Sequence, residues 1–325
     1  MIAYYIDTMN PFLLRFTETI GIRWYGLAYV TAFLIGIGVV RILSRRGYCA
    51  IPEKDVSDFI IGAAIFGVLL GGRLGYMLLY DFQNFIHTPW IIVRVMDGGM
   101  SSHGGIIGIA LYTLWYSRKH KIPWRNVSDC LAVAAPIGLF LGRMANFVNG
   151  ELYGRVITGS VPWAVQFPKE LLSNVPPETQ QLAVEEAMKI NPQWDHIDGQ
   201  GGIIDVLTLS KPPDWEKLRD AMGGVLNPRH PSQIYEGFLE GLFLFGFLWF
   251  LRTRFKLRDG VLSGTFFIVY AAVRCFGEMF REPDAPLTGP FTRGQFLSFF
   301  LVLIGIAFLV STRVRPIYPP GRKDK

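Results

Sequence analysis

Seven apolar runs, each close to the length of a bilayer crossing, constrain this chain more than any other feature of it. They cover residues 19–43, 56–80, 98–116, 128–147, 231–251, 261–280 and 293–312. A helix needs roughly 20 mostly apolar residues to cross the hydrocarbon core. Inside that core only helices and closed barrels satisfy every backbone polar group. A large soluble protein buries its hydrophobes in shorter, interrupted pieces. Only 18% of the residues are charged, against about a quarter in an average soluble domain. The expected fold is an all-α polytopic membrane protein with about seven transmembrane helices, forming one domain over residues 1–325.

The net charge of +6 is compatible with nucleic-acid binding, but its placement is not. Four short segments hold 17 of the 32 Lys and Arg residues: 41–54, 118–125, 252–258 and 313–325, and they follow the first, third, fifth and seventh runs. The short loops 81–97 and 281–292 carry only Arg94 and Arg281. Cations concentrate on the cytoplasmic side of membrane proteins. The N-terminus is therefore expected outside and the C-terminus in the cytoplasm of a bacterial inner membrane, which agrees with an odd number of spans. The basic loops are expected to face the lipid bilayer, not nucleic acid. The N-terminus lacks a charged leader with a small-residue cleavage site, so the first span is expected to remain as an anchor. Cys49, Cys130 and Cys275 fall in a cytoplasmic loop or within spans, and no disulfide framework is expected.

The fourth and fifth runs are separated by residues 148–230, an insertion rich in Pro, Asp, Glu and Gln around its centre. It is expected to form a small periplasmic head, with a short strand near Val161–Phe167 and an amphipathic helix over 178–190. No internal repeat of the kind found in inverted-repeat transporters is present.

Residues that are costly in lipid point to a site. Arg73, Arg143, Arg274, Asn146, Glu236, Glu240 and Glu278 all fall within the runs. One charge at mid-membrane costs at least about 2.5–3.5 kcal/mol, so each must be paired, wetted by a cavity or placed near an interface. The topology puts Arg73, Arg143, Asn146, Arg274 and Glu278 in the outer half, with Tyr25, His103 and Glu151 near the outer ends and Tyr270 near the midplane. One water-accessible cavity at that level accounts for all of them. Arg274 and Glu278 are spaced i,i+4 and share a helix face, so an internal ion pair is one reading of them. Arg143 and Arg73 have no acid at i±3 or i±4. An unpaired arginine at headgroup depth suits a lipid phosphate, which guanidinium binds bidentately. For Arg73, within Gly71-Gly-Arg-Leu-Gly, packing and phosphate binding are equally good readings. Gly98-Gly-Met-Ser-Ser-His-Gly-Gly is a poor helix start and is expected to be a loop lining the cavity, with His103 as either a structural residue or a general base. No tight His/Asp/Glu ligand cluster is present, and neither a metal nor another cofactor is expected.

The run Gly142-Arg-Met-Ala-Asn-Phe-Val-Asn-Gly-Glu-Leu-Tyr-Gly-Arg155 closely resembles the signature of bacterial prolipoprotein diacylglyceryl transferases. Five further blocks extend the resemblance along most of the chain. They are Trp24-Tyr-Gly, Gly71-Gly-Arg-Leu-Gly-Tyr, Asp97-Gly-Gly-Met-Ser-Ser-His-Gly-Gly, and the pair Arg229-His-Pro-Ser-Gln-Ile-Tyr-Glu and Arg274-Cys-Phe-Gly-Glu-Met-Phe-Arg-Glu-Pro-Asp. Ala145 and Ser102 depart from the family pattern, where Gly and Phe are expected, and the insertion is longer than usual. The resemblance implies transfer of the diacylglyceryl group of phosphatidylglycerol to the lipobox cysteine of a prolipoprotein, with formation of a thioether and release of glycerol phosphate. It also implies a seven-helix domain with a periplasmic head and a lateral opening for lipid. Family positions that matter for activity fall on Tyr25, His103, Arg143, Asn146, Glu151, Gly154, Tyr270, Arg274 and Glu278. On this reading Arg143 and Asn146 bind the headgroup, and Arg274, oriented by Glu278, stabilises the leaving phosphate or the thiolate. His103 is the preferred base, with Tyr270 or Glu151 as alternatives. A phospholipid flippase is the competing reading, but it calls for polar residues along a path through the whole membrane.

Overall fold

The computed structural model describes residues 4–17, 20–94, 98–173, 175–283, 287 and 289–312. Asp97, Asp284 and the basic residues of 313–325 lie outside the described residues. The chain is mostly helical, and each of the seven apolar runs contains a helix: α1 (Trp24–Arg45), α2 (Glu53–Leu79), α3 (Ser102–Lys119), α4 (Trp124–Val148), α5 (Ser232–Arg254), α6 (Val261–Gly277) and α7 (Arg293–Thr312). Five of these, α1, α2, α4, α5 and α7, are long and apolar enough to cross a membrane. The chain is thus a multi-pass membrane protein. Helix α6 is apolar but shorter, and α3 is diluted by serine, histidine and three glycines.

Contacts divide the chain into two compact units. One comprises Met1–Val30, Gly138–Leu244 and Val269–Val302; the other comprises Thr31–Ile137, Phe245–Ile268 and Leu303–Lys325. Five of the helices contribute residues to both units.

The first unit includes the insertion. Within it, helices Pro177–Ile190 and Trp215–Met222 bury Ala183, Ala187, Leu218 and Met222 against Leu171, Ile203 and Leu207. The expected amphipathic helix is present, and alanine at positions 183 and 187 lets its inner face lie close to that core. Two short strand pairs qualify the all-α expectation. Strand β1 (Tyr5–Ile6) runs parallel to β4 (Val165–Gln166), inside the segment expected to hold a strand, so residues from the start of the chain complete the insertion. Gln166 secures the junction by donating from Nε2 to the carbonyls of Gly223 (3.0 Å) and Leu226 (2.5 Å). Strands β2 (Phe12–Arg15) and β3 (Gly21–Arg23) form an antiparallel hairpin leading directly into α1.

In the second unit, α2 and α3 pack through a glycine seam. Gly67, Gly71 and Gly75 lie on one helix, Gly104 and Gly108 on the other. A Cβ on Gly75 would lie 3.1 Å from the Gly104 nitrogen, and one on Gly104 would lie 2.7 Å from the Gly75 Cα. Small residues at i,i+4 allow this approach, and van der Waals packing holds helices together in lipid. The seam corrects the expectation of a glycine loop across 98–105. Only Gly98 and Gly99 are in the left-handed region, at φ +80° and +77°. The helix starts at Ser102, capped by Ser101 Oγ, which accepts from the Gly104 nitrogen at 3.2 Å. Close packing at Gly104 outweighs the low helix propensity of the glycines in this first turn.

Gly104→Val is expected to lower the thermal midpoint in detergent, at a cost of about 1–3 kcal/mol for overpacking. Gly38→Ala in α1, whose Cβ would meet nothing within 4 Å, serves as the neutral comparison. A second expectation concerns Asp7, which burial pushes up to about 7. The unfolded carboxyl titrates near ~3.9, so the fold holds the proton more tightly than the unfolded chain does. Its contribution is therefore full below pH ~4 and is lost as pH rises through about 7. Asp7→Asn should flatten this part of the stability profile, read as thermal midpoints between pH 4 and pH 8.

Candidate active site

Helix α5 carries Glu236 and Glu240 one turn apart, which places both carboxylates on one face. Gly237 and Gly241 follow each of them and let α4 approach closely: a Cβ on Gly237 would lie 3.3 Å from the Arg143 Cβ, and one on Gly241 2.9 Å from the Phe140 Cα. The helix widens to a π-helical turn over Gly237–Phe243, a local irregularity often found at functional sites. Arg143 of α4 thereby reaches both acids, with Nη1 2.9 Å from Glu236 and Nη2 3.0 Å from Glu240.

Arg274 of α6 completes the arrangement from the other side. Its Nη1 lies 2.8 Å from Glu236 Oε1 and 3.2 Å from Glu240 Oε1, while Nη2 pairs with Glu278. Arg281 adds a contact from Nη1 to Glu236 Oε2 at 3.3 Å. Glu236 and Glu240 are each shared by Arg143 and Arg274, so the two guanidiniums are neighbours held at fixed spacing. Gly294 of α7 makes room for the Glu278 carboxylate, since a Cβ there would fall 2.7 Å from its Cδ. Three guanidiniums thus meet three carboxylates, and the charge balances locally. The side chains of Glu236 and Glu240 are fully covered, whereas Arg143 and Arg274 keep 14% and 13% exposure. An incoming group therefore meets guanidinium, not carboxylate.

Two expectations from the sequence change here. Arg143 is not unpaired: its partners come from another helix, beyond the reach of an i±4 search. Arg274–Glu278 is an ion pair, but it is only one side of a larger network.

Asn146 lies one turn beyond Arg143 and joins a different network of the same unit. Its Nδ2 donates to the Tyr25 hydroxyl, which in turn donates to Glu151 Oε1. Asn149 Nδ2 also donates to that oxygen, at 3.4 Å. Gln233 Nε2 donates to the Glu151 carbonyl at 2.8 Å, and Ser232 Oγ to the Leu152 carbonyl at 3.1 Å. The Asn149 Oδ1 and Gln233 Oε1 atoms are buried and have no partner among the described residues.

Gly154 is needed for backbone approach. Its nitrogen donates to the His230 carbonyl at 2.9 Å and it pairs with Arg281 across an antiparallel bridge. A Cβ there would lie 2.6 Å from the Phe280 carbonyl oxygen. Gly154 thus helps place the segment from which Arg281 projects. The buried Arg229 supports the same segment: Nη1 donates to the Gly154 carbonyl at 3.1 Å and pairs with Glu282 at 3.2 Å, while Nε pairs with Glu170.

Seven of the expected site residues (Tyr25, Arg143, Asn146, Glu151, Tyr270, Arg274 and Glu278), with Gly154, belong to this one unit. His103 and Arg73 belong to the other. His103 is half-buried in the first turn of α3. Arg73 is buried, and its guanidinium donates to four backbone carbonyls: Gly98, Gly99 (3.0 Å), Ile91 (2.7 Å) and Arg94 (2.9 Å). Of its two readings, loop packing is the one this geometry favours, because both Nη groups are engaged by carbonyls and the remaining donor, Nε, is buried. The partner roles of Glu236, Glu240 and Arg281 were missed by sequence reasoning. Two acids spaced i,i+4 within an apolar run were the available signal, since such a pair calls for cations from neighbouring helices.

Residues 11–311 match the model of the family described as prolipoprotein diacylglyceryl transferase. The chain is 37% identical to the phosphatidylglycerol–prolipoprotein diacylglyceryl transferase of Bdellovibrio bacteriovorus, over 97% of this chain and 96% of that protein. It is 40% identical to the enzyme of the same name from Rhodospirillum centenum, covering 92% and 91% of the two chains. The corresponding figures for Pectobacterium atrosepticum are 38%, 90% and 89%.

Glu236→Gln is expected to destabilise the protein by about 3–5 kcal/mol, the usual cost of stranding buried opposite charges. Thermal unfolding in detergent, compared with the exposed Glu185→Gln, measures it.

Proposed function

The chain belongs to the prolipoprotein diacylglyceryl transferase family, and we propose that its arginine–glutamate cluster is where the transfer takes place. The enzyme moves the diacylglyceryl group of phosphatidylglycerol to a prolipoprotein, the first step of lipoprotein maturation. The observation that carries the assignment is the pair Arg143 and Arg274, held side by side by shared carboxylates with only the guanidiniums accessible.

Each arginine has five N–H donors. The contacts to Glu236 and Glu240 leave Arg143 one N–H on each Nη, and Arg274 keeps Nε and one N–H on Nη2. A phosphodiester laid across both accepts from these donors while the carboxylates hold the guanidiniums in place. In the reaction the lipobox thiol loses its proton, and sulfur attacks the diacylglyceryl carbon that bears the phosphate. The C–S bond forms as the C–O bond breaks, and glycerol phosphate departs with the electron pair. A free thiol is only a few per cent thiolate at pH 7, and the departing phosphate gains charge. Preorganised cations stabilise such developing charge. Arg143 is assigned to the headgroup phosphate and Arg274, oriented by Glu278, to the leaving oxygen. The unpaired Asn149 and Gln233 amide oxygens are assigned to the glycerol hydroxyls of the headgroup.

Asn146 supports the headgroup through Tyr25 and Glu151 and not through Arg143. Glu151 already serves as the common acceptor of that network, so it is assigned to orienting Tyr25 and Asn146. Tyr270 is assigned to the wall of the cluster, and the proton goes to His103. Seven spans, a periplasmic head over 148–230, an outside N-terminus and a cytoplasmic C-terminus in the inner membrane complete the reading. The charge distribution supports them, because this orientation puts the cluster at the leaflet where a translocated prolipoprotein arrives.

Pairing changes the choice of test. Arg143→Ala would take one cation from each of two buried acids and lower abundance as well as activity. Arg143→Lys keeps the charge and loses the fork. It is expected to reduce kcat/KM about a hundredfold or more, with near-normal abundance, when a lipobox peptide and phosphatidylglycerol are incubated with the enzyme and the product is followed by mass spectrometry. Full activity of this variant would remove the phosphate-ligand role. His103→Gln is expected to lower kcat about a hundredfold, the usual scale of losing a general base, with KM for both substrates near normal; full turnover would transfer the base role elsewhere.

A further inference from the structure

Beside the cluster lies a continuous aromatic patch that the transfer chemistry does not use. Trp163, from the insertion, donates from Nε1 to the Tyr235 hydroxyl at 2.8 Å. His230, Tyr235 and Phe280 meet in edge-on contacts, with centroids 5.3 Å apart for His230–Phe280 and 5.6 Å for Tyr235–Phe280. Phe276 extends the group at 5.5 Å from Phe280. Trp163 and Phe276 remain 63% and 51% exposed, and Met279, next to Phe280 in the chain, is 62% exposed.

The patch borders the arginine–glutamate cluster through the chain itself. Tyr235 precedes Glu236, Phe280 precedes Arg281, and Phe276 lies two residues before Glu278. A ligand on these rings is therefore held next to the guanidiniums. The character of the patch selects among ligands. None of its side chains carries a fixed charge, and burial lowers the pKa of His230, so the imidazole is mainly neutral at pH 7. A phosphate headgroup finds no cation there. The Trp163 N–H is taken by the Tyr235 hydroxyl, which also lies 3.4 Å from His230 Nδ1. The second lone pair of that hydroxyl and His230 Nε2 remain for a peptide backbone, which can use them where an acyl chain cannot. Trp163 comes from the insertion and not from a span, so the patch joins the insertion to α5 and the end of α6.

We propose that this patch, Trp163, His230, Tyr235, Phe276, Met279 and Phe280, is the docking surface for the apolar peptide stretch of the prolipoprotein that carries the acceptor thiol. The inference rests on the transferase reading of the adjoining cluster. The rings grip uncharged side chains while their polar edges meet backbone groups, and the cysteine is presented to the lipid held by Arg143 and Arg274.

The test uses the full-length enzyme in phosphatidylglycerol-containing liposomes and a synthetic lipobox peptide, one cysteine following an apolar stretch. The double variant Trp163→Ser, Met279→Ser changes two exposed side chains. It is expected to raise KM for the peptide about tenfold, the scale of removing one aromatic anchor, with kcat and KM for phosphatidylglycerol unchanged. A rise in KM for phosphatidylglycerol instead would make the patch an acyl-chain surface, and unchanged values for both substrates would remove it as a docking site. Should the variant fold poorly, the wild-type enzyme is photolysed with a benzophenone-labelled peptide and the crosslinks are mapped by mass spectrometry. Crosslinks at 163, 276 or 279 support the inference; crosslinks confined to other segments overturn it. Failure of the transferase reading is separate, because then the wild type itself would attach no diacylglyceryl group to the peptide.

Discussion

Glu236 and Glu240 are the acids on which the rest of the site depends. Both are fully covered, and in an apolar surrounding neither is tolerable as an anion without cations against it. Arg143 and Arg274 supply those cations, and Arg281 adds a third at Glu236. The dependence runs both ways, because a guanidinium within a membrane helix is equally costly alone. Mutual neutralisation lets the helices carry charges in lipid and fixes where the guanidiniums sit. A resting site that is already balanced gains a negative charge when a phosphodiester arrives, so binding there must be won by geometry: donors left free and already aimed.

Close helix approach is what makes this balance possible, and glycine provides it. Gly237 and Gly241 bring α5 against α4, and Gly294 accommodates the Glu278 carboxylate. The same device appears in the other unit, where Gly71 and Gly75 meet Gly104 and Gly108 without catalytic groups between them. There it serves packing alone, supported by Arg73, whose guanidinium ties the preceding loop through four carbonyls. Intramembrane arginines therefore have at least two employments in this chain. Exposure separates them: Arg73 is buried with its donors on backbone carbonyls, while Arg143 and Arg274 present an edge.

The segment around Gly154 links the insertion to that chemistry. Gly154 lies against His230 on one side and the Phe280–Arg281 backbone on the other, and Arg229 secures it with Glu170 and Glu282. Arg281 projects from this small arrangement into the cluster, and the aromatic patch lies along its border. The insertion thus contributes to the surroundings of the arginine–glutamate cluster as well as to the bulk of the protein.

The apolar runs determined the helices, because nothing but a helix makes some twenty consecutive apolar residues stable in lipid. The ordered motif blocks likewise mark Arg143, Asn146, Glu151, Arg274 and Glu278 as candidate site residues. What the linear pattern did not contain was partnership. Arg143 looked unpaired because helical spacing reveals only neighbours within one helix, and its acids lie about a hundred residues away on α5. Asn146, one turn from Arg143, was expected to share its task but turned to Tyr25 and Glu151. Gly104 reads as a loop residue on propensity, but its packing against Gly71 and Gly75 leaves no room for a side chain within a helix. In each case the decision came from a contact between distant segments. Local sequence sets what a segment can become; the energies of burying a charge or fitting two backbones together exist only once the chain has brought both partners into place.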